Sequence, residues 1–232
     1  MRRHAGPVEQ FQRSAREAAK ALDERGLLRD GTRLLDLGCG PGGLPLALIG
    51  RLPSAARYVG LDVHTASIDW CRRRFAGDAR FRFERVAAAS PYGVPGDPPA
   101  SGLRFPLEDA SQDLVVARSL YTHLLPLDAA RYLEETARVL ADEGRAMITA
   151  FLYAHGAEVP FLPWAFEGDR VRLRHRAWPS AAVGYERQSF LGMIAAAGLT
   201  PVETWDGFYP GASRKPRGQD VLFLSRAGKR AA

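Results

Sequence analysis

The chain has 232 residues, 46% of them apolar, with 32 Lys and Arg against 26 Asp and Glu for a formal net charge of +6. That length fits one domain over 1–232, no apolar run reaches the roughly 20 residues that cross a bilayer, and no apolar signal core follows the basic Met1-Arg2-Arg3-His4, so a cytoplasmic protein that does not enter the membrane is expected. Two cysteines, Cys39 and Cys71, make neither a disulfide framework nor a metal cluster, and the positive charge is scattered arginine with only three lysines, so no nucleic-acid partner is expected from charge.

Residues 8–25 place Phe11, Ala15, Ala18, Ala19 and Leu22 on one side at helical spacing, and Gly26 ends the run. A short apolar strand follows at 32–37, then a glycine-rich turn, then the start of a helix at 44–52. The next strand is 57–61, with Asp62 at its end; 65–75 is a helix stopped by Gly77-Asp78. Residues 80–86 alternate Phe81 and Phe83 with charge, as a half-buried strand does. A Pro/Gly-rich loop covers 90–102. Residues 113–117 hold the continuous apolar run Leu114-Val115-Val116 of a strand covered on both faces. An amphipathic helix over 127–140 buries Tyr132, Leu133, Ala137 and Leu140; Gly144 closes the helical stretch and 145–151 returns as a strand. Residues 153–185 have prolines, scattered aromatics and no period, and then come a helix over 187–197 and strands over 200–205 and 220–225. Strand and helix alternate, so the expectation is a single α/β domain with a doubly wound, mostly parallel sheet.

The most informative stretch is Leu34-Leu35-Asp36-Leu37-Gly38-Cys39-Gly40-Pro41-Gly42-Gly43, where an apolar strand reaches an acid and a glycine turn opens a helix. Glycine accepts backbone angles other residues avoid and lets a ligand approach the main chain, and this junction is where α/β folds bind nucleotide-like ligands. Gly38, Gly40 and Gly43 also spell G-x-G-x-x-G, with Asp62 at the distance a nicotinamide dinucleotide requires. Against a dehydrogenase stands Asp36, whose carboxylate suits a cationic ligand better than a pyrophosphate.

The Asp-x-Gly-x-Gly-x-Gly pattern resembles the first motif of class I S-adenosylmethionine (SAM)-dependent methyltransferases, in their small-molecule, type 11/25-like group. Residues 103–119, containing Phe105-Pro106 and Ser111-Gln112-Asp113-Leu114-Val115, are similar to the fourth-strand region of that family; Arg138-Val139-Leu140-Ala141-Asp142-Glu143-Gly144 is similar to its turn before the fifth strand. The similarity covers about residues 30–152. It implies a Rossmann-like sheet of seven strands with the last antiparallel, SAM as cofactor, and methyl transfer to the oxygen or nitrogen of a small-molecule acceptor. The implied cofactor residues are Asp36, Gly38, Cys39, Gly40, Gly42, Asp62 (for the ribose hydroxyls), Val63, Arg118 and Ser119. Two positions depart from the pattern: Gln112 replaces an aromatic, and Arg85-Val86-Ala87-Ala88 lacks the acid that often meets the adenine amine.

His123, just past the fourth strand, is the candidate general base, the alternative being a histidine that orients its own loop. Tyr121, Tyr153 and Trp164 are the candidate acceptor-binding residues; His155 is a weaker catalytic candidate, and His64 a candidate for the ribose edge. The aromatic segment 153–185 reads as a substrate lid or, alternatively, as a cap on the sheet. Cys39 reads as a small residue suited to a crowded turn or as a reactive thiol. No His/Cys/Asp/Glu cluster has metal-ligand spacing, so no catalytic metal is expected. A nucleic-acid methyltransferase and a non-catalytic SAM-binding protein are the competing readings. The first is disfavoured because the site after the fourth strand reads Arg118-Ser119-Leu120-Tyr121 rather than an acid or amide followed by Pro-Pro-aromatic.

Overall fold

A computed structural model describes residues 8–90, 92–154, 164, 166–168, 170–209 and 218–228. The elements in chain order are α1 (Val8–Glu24), β1 (Arg33–Leu37), α2 (Gly43–Leu48), β2 (Arg57–Asp62), α3 (Thr65–Arg74), β3 (Phe81–Arg85), β4 (Gln112–Ala117), α4 (Pro126–Val139), β5 (Leu140–Tyr153), β6 (Phe166–Glu167), β7 (Val171–Leu173), β8 (Val183–Glu186), α5 (Arg187–Ala196), β9 (Leu199–Tyr209) and β10 (Gln219–Arg226). Short 3-10 turns lie at Ala100–Gly102, Tyr121–His123 and Pro179–Ala181.

The main sheet runs β3-β2-β1-β4-β5 in parallel, then β10 antiparallel to β5, then β9 antiparallel to β10. This is the expected seven-stranded sheet with its antiparallel last strand. Successive residues of a strand point to opposite faces, so Leu34 and Leu35 serve different cores. Leu34, Leu114, Val116 and Met147 pack under α1, α2 and α3, whereas Leu35, Val115, Ala117 and Ile148 pack under α4 and α5. Burial on both faces explains the continuous apolar runs of β1 and β4. Pro126 suits the first turn of α4 because its missing N–H would have no partner there, and Asp128 in the first turn and Arg138 in the last suit the helix dipole.

Two features differ from the sequence reading. The stretch 141–144 does not extend a helix to Gly144. Leu140 is already extended and pairs with Gln112, and the next paired residues are Arg145 and Leu114, so 141–144 forms an irregularity in the strand. Leu140 is fully buried, and it is this packing that stops the helix early. The aperiodic stretch 153–185 contains three strands. β6 and β7 pair antiparallel, β7 pairs β8 antiparallel, and β8 adds in parallel to Phe151–Tyr153 at the far end of β5. Strands of two to four residues are too short for a period of two to register. Among the described residues no helix is long and apolar enough to cross a membrane.

Candidate cofactor and acceptor site

The C-terminal ends of the parallel strands bring the motif residues together, as the topology of an open α/β sheet requires. The loop after β1 holds Gly38, Gly40 and Gly42 at φ of +71°, +51° and +78°, angles at which a side chain is strained. Gly38 and Cys39 donate their N–H groups to the Leu61 carbonyl, at 2.8 and 3.1 Å. Gly40 N–H donates to Asp62 Oδ2 at 2.7 Å, and His64 N–H to Asp62 Oδ1 at 2.8 Å. Asp62 thus fastens the glycine loop to the end of β2. Each of its oxygens keeps a further acceptor position, a pair that matches two vicinal hydroxyls. Burial raises the Asp62 carboxyl, and the His64 and Gly40 amides oppose that rise.

The ground beneath the loop is closed, and above Gly40 it is open. A Cβ on Gly60 would lie 2.7 Å from the Phe83 ring and 3.0 Å from Cys39 Sγ; one on Gly42 would meet Cys71 Sγ at 3.0 Å. One on Gly40 would meet only the Gly38 carbonyl, at 4.0 Å, so it would project into the space where a ligand can reach the backbone. Cys39 and Cys71 are both buried free thiols. Contact with Cys71, together with burial, pushes the Cys39 thiol up and keeps it protonated at neutral pH, which suits packing rather than reactivity.

Asp36 is 2% exposed and accepts a 2.5 Å hydrogen bond from the Tyr58 hydroxyl. Burial pushes its carboxyl up to about 7, against the opposing effects of Tyr58 and the Arg118 charge, while Asp62 adds to the rise. Arg118 leaves β4 towards α1, where Nη1 donates to Ser14 Oγ at 2.8 Å and the guanidinium lies 5.7 Å from the Phe11 ring. A Cβ on Gly43 would collide with Phe11 at 2.5 Å and approach Arg118 Nη2 at 3.0 Å, so α1 closes tightly on this end of the loop. Leu120 packs over Gly38, 3.3 Å from where its Cβ would be. Ser119 has a φ of +54°. Val63 is half-buried and packs against the α4 and α5 side of the core. Neither Phe11, Ser14, Tyr58 nor Leu120 stands out in the sequence, because each reaches the site by packing rather than by a motif.

His123 is half-buried; its Nδ1 lies 2.9 Å from the Ser180 carbonyl and its ring is edge-on to Tyr92 at 5.6 Å. A carbonyl only accepts, so Nδ1 carries the proton, and in the neutral ring Nε2 keeps the lone pair. Tyr121 turns inward: it is 0% exposed and packs edge-on against Phe190. Tyr153 is buried under the Arg172 guanidinium, 4.2 Å away, and donates its hydroxyl to the Gly168 carbonyl at 3.2 Å. Trp164 packs over Gly184, where a Cβ would come within 2.9 Å, and edge-on to Phe151 at 6.3 Å. His64 precedes α3, with Nδ1 2.8 Å from Ser67 Oγ. His155 lies outside the described residues. Among the described residues no group of three or more His, Cys, Asp or Glu is placed to hold a metal.

The sequence profile of the family described as "Methyltransferase domain" matches residues 34–144, which span the strands, glycine loop and acids just described. Residues 34–144 are a SAM-dependent methyltransferase domain. Its cofactor is SAM. The methyltransferase shares its fold with a TehB-like SAM-dependent methyltransferase from Corynebacterium glutamicum at a TM-score of 0.58 and 18% identity, over 92% of this chain and 87% of that one. It also resembles the 1,6-didemethyltoxoflavin-N1-methyltransferase of Burkholderia thailandensis, solved with 1,6-didemethyltoxoflavin and S-adenosylhomocysteine (SAH), at a TM-score of 0.61 and 20% identity, over 93% and 80%. The [4+2]-cyclase SpnF has the same fold at a TM-score of 0.62 and 19% identity, over 92% and 82%. One fold therefore supports different reactions, and the acceptor has to be argued from the site.

Proposed function

We propose that the methyltransferase transfers the methyl group of SAM to an oxygen or nitrogen of a small, flat, apolar acceptor. One observation carries this reading. Alternate residues of β5 share a face, so Thr149, Phe151 and Tyr153 form a stripe leading outward from Ser119 at the end of β4. Gly184 pairs in register with both Phe151 and Arg172, which puts Trp164 and Arg172 on that same face. A run of rings, half-buried at Phe151 and Trp164 and buried at Tyr153, thus begins near the cofactor loop and continues on to the added strands β6–β8. Apolar, aromatic-lined sites with few polar groups suit small ligands. Trp164 Nε1–H is buried and meets no acceptor among the described residues, which makes it a donor available to an acceptor oxygen.

When bound, SAM supplies an electrophilic methyl group, so the protein's task is to hold and orient. The open side of the glycine loop at Gly40 takes the amino-acid part by close approach to the backbone, Asp62 accepts from the ribose hydroxyls, and Asp36 offsets the positive charge. His123 is the general base in this reading. Its tautomer is fixed by Ser180, in the 153–185 segment that forms the acceptor lid, and its lone pair at Nε2 takes the proton of a hydroxyl acceptor. Tyr121 supports the turn from within the core. The test is SAH release from SAM in the presence of a panel of phenols, aromatic amines and heteroaromatic rings, with the product identified by mass spectrometry. Methylation of one of these classes supports the reading. Turnover restricted to nucleic acid, with steep salt dependence, or SAH binding with no turnover on any class, overturns it.

A further inference from the structure

Thr149 is fully buried in the middle of β5, between Ile148 and Ala150. A buried central strand favours an apolar residue at such a position, and valine has the same shape as threonine. The hydroxyl is retained here by a closed set of hydrogen bonds. Ser119 N–H donates to Thr149 Oγ1 at 2.7 Å, and Thr149 Oγ1–H donates to Gln219 Oε1 at 2.5 Å. Gln219 Nε2–H then donates to Ser119 Oγ at 3.0 Å, closing the ring. The Ser119 carbonyl accepts from the Thr122 hydroxyl at 3.0 Å. Three elements thus grip one residue: β5, β10 and the turn at Tyr121–His123.

The gripped residue is in the left-handed region, at φ +54°, where an L-residue is held only if its surroundings over-determine it. Leaving β4 through a left-handed residue sends Arg118 towards α1 and Gly43, lays Leu120 over Gly38, and turns the chain into the segment that carries His123. The ring contains no titratable group, so it holds this arrangement at any pH at which the chain is folded.

We infer that Thr149 and Gln219 are positioning residues of the cofactor site. They act through Ser119, whose left-handed backbone sets Arg118 and Leu120 against the glycine loop. This inference rests on that loop being where the cofactor binds. Neither residue belongs to a methyltransferase motif, and neither touches the loop among the described contacts.

The test is calorimetric titration of the full chain with SAH, alongside thermal melting. Thr149→Val keeps the shape and removes the acceptor of the Ser119 N–H; it is expected to weaken SAH binding about tenfold. Thr149→Ser restores the hydroxyl and is expected to bind within about twofold of wild type. Adding Ser119→Gly to Thr149→Val should recover most of the lost affinity, because glycine adopts a φ of +54° unaided. If Thr149→Val does not fold, Gln219→Leu carries the test: it opens the ring but leaves the Ser119 N–H bonded to Thr149, and should weaken SAH about threefold. A Thr149→Val protein that melts lower but binds SAH as wild type does would show a packing role only and overturn the inference, as would an absence of recovery with Ser119→Gly. Wild-type protein that does not bind SAH would instead overturn the assignment of the loop, a result that cannot be confused with the first.

Discussion

The buried Asp36 carboxyl gives the most direct prediction. Its value of about 7, against the ordinary 3.8, means that the folded protein holds this proton more tightly than the unfolded chain does. Stability then falls as pH rises. The contribution is intact below the ordinary value, is lost progressively as pH climbs through about 7, and changes no further above it. The gap between the two values is worth about 4 kcal/mol, a ceiling for one group. For a domain of this size that corresponds to a ceiling of roughly 8–16 °C in melting temperature. Asp36→Asn keeps an oxygen for the Tyr58 hydroxyl and removes the ionisation. Without ligand, the variant should melt modestly above wild type at pH 5, where about a third of the contribution is already lost, and further above it at pH 8.5. The comparison between variant and wild type isolates Asp36 from Asp62 and Asp220, whose carboxyls burial also raises. Ligand reverses the preference: the ammonium group of SAH favours the ionised carboxylate, so wild-type affinity should rise with pH, by at most tenfold per pH unit, and level off above about 7. The variant should lack that slope. A wild-type melting temperature that tracks the variant at both pH values, or an affinity slope that survives in Asp36→Asn, would refute the reasoning.

Gly40→Val puts a branched side chain at φ +51° into the open side of the loop and should abolish SAH binding in calorimetry while the far-UV dichroism stays native. Asp62→Ala removes a charged acceptor and should cost about 1.5–3 kcal/mol of SAH affinity, or roughly 10- to 150-fold. Once an acceptor is in hand, His123→Ala should lower turnover by roughly 10²–10⁴-fold and erase the acidic limb of the rate profile, with SAH affinity unchanged; a mutant that keeps the profile and loses only thermal stability would assign His123 to orienting its loop.

The sheet was legible in the sequence where physics leaves a strong signal. β1 and β4 are buried on both faces and read as largely apolar runs; the acid near the end of β1 and the three glycines that follow before α2 have no comparable use in a plain turn. The signal fails in three kinds of place. The short strands β6–β8 are defined by pairing with β5, a contact no local pattern encodes. The change from α4 to β5 at Leu140 is set by burial of that side chain, whereas Gly144 offers the more obvious local stop. The Arg118 contacts with Ser14 and Phe11 join positions about a hundred residues apart, and they depend on α1 closing over the loop. Tyr121 shows the limit from the other side. Its position after β4 points to the site mouth, but the 3-10 turn carries the ring into the core against Phe190.

The two acids of the site differ through neighbours that only the fold supplies. In the sequence Asp36 and Asp62 look alike, each near the end of an apolar strand. In the fold their surroundings are opposite. Asp62 accepts two backbone N–H groups, one on each oxygen, which favours its ionised form and leaves acceptor positions in a plane suited to a diol. Asp36 is sealed from water, with one phenol hydroxyl and the more distant Arg118 charge to offset its burial. A carboxylate so poorly solvated gains more from a bound cation than an exposed one does, because the attraction is less screened. The first acid is therefore suited to recognising shape, through hydrogen bonds, and the second to recognising charge. SAM has the features both require, vicinal hydroxyls and positive charge, whereas a dinucleotide offers the hydroxyls but brings a pyrophosphate towards Asp36.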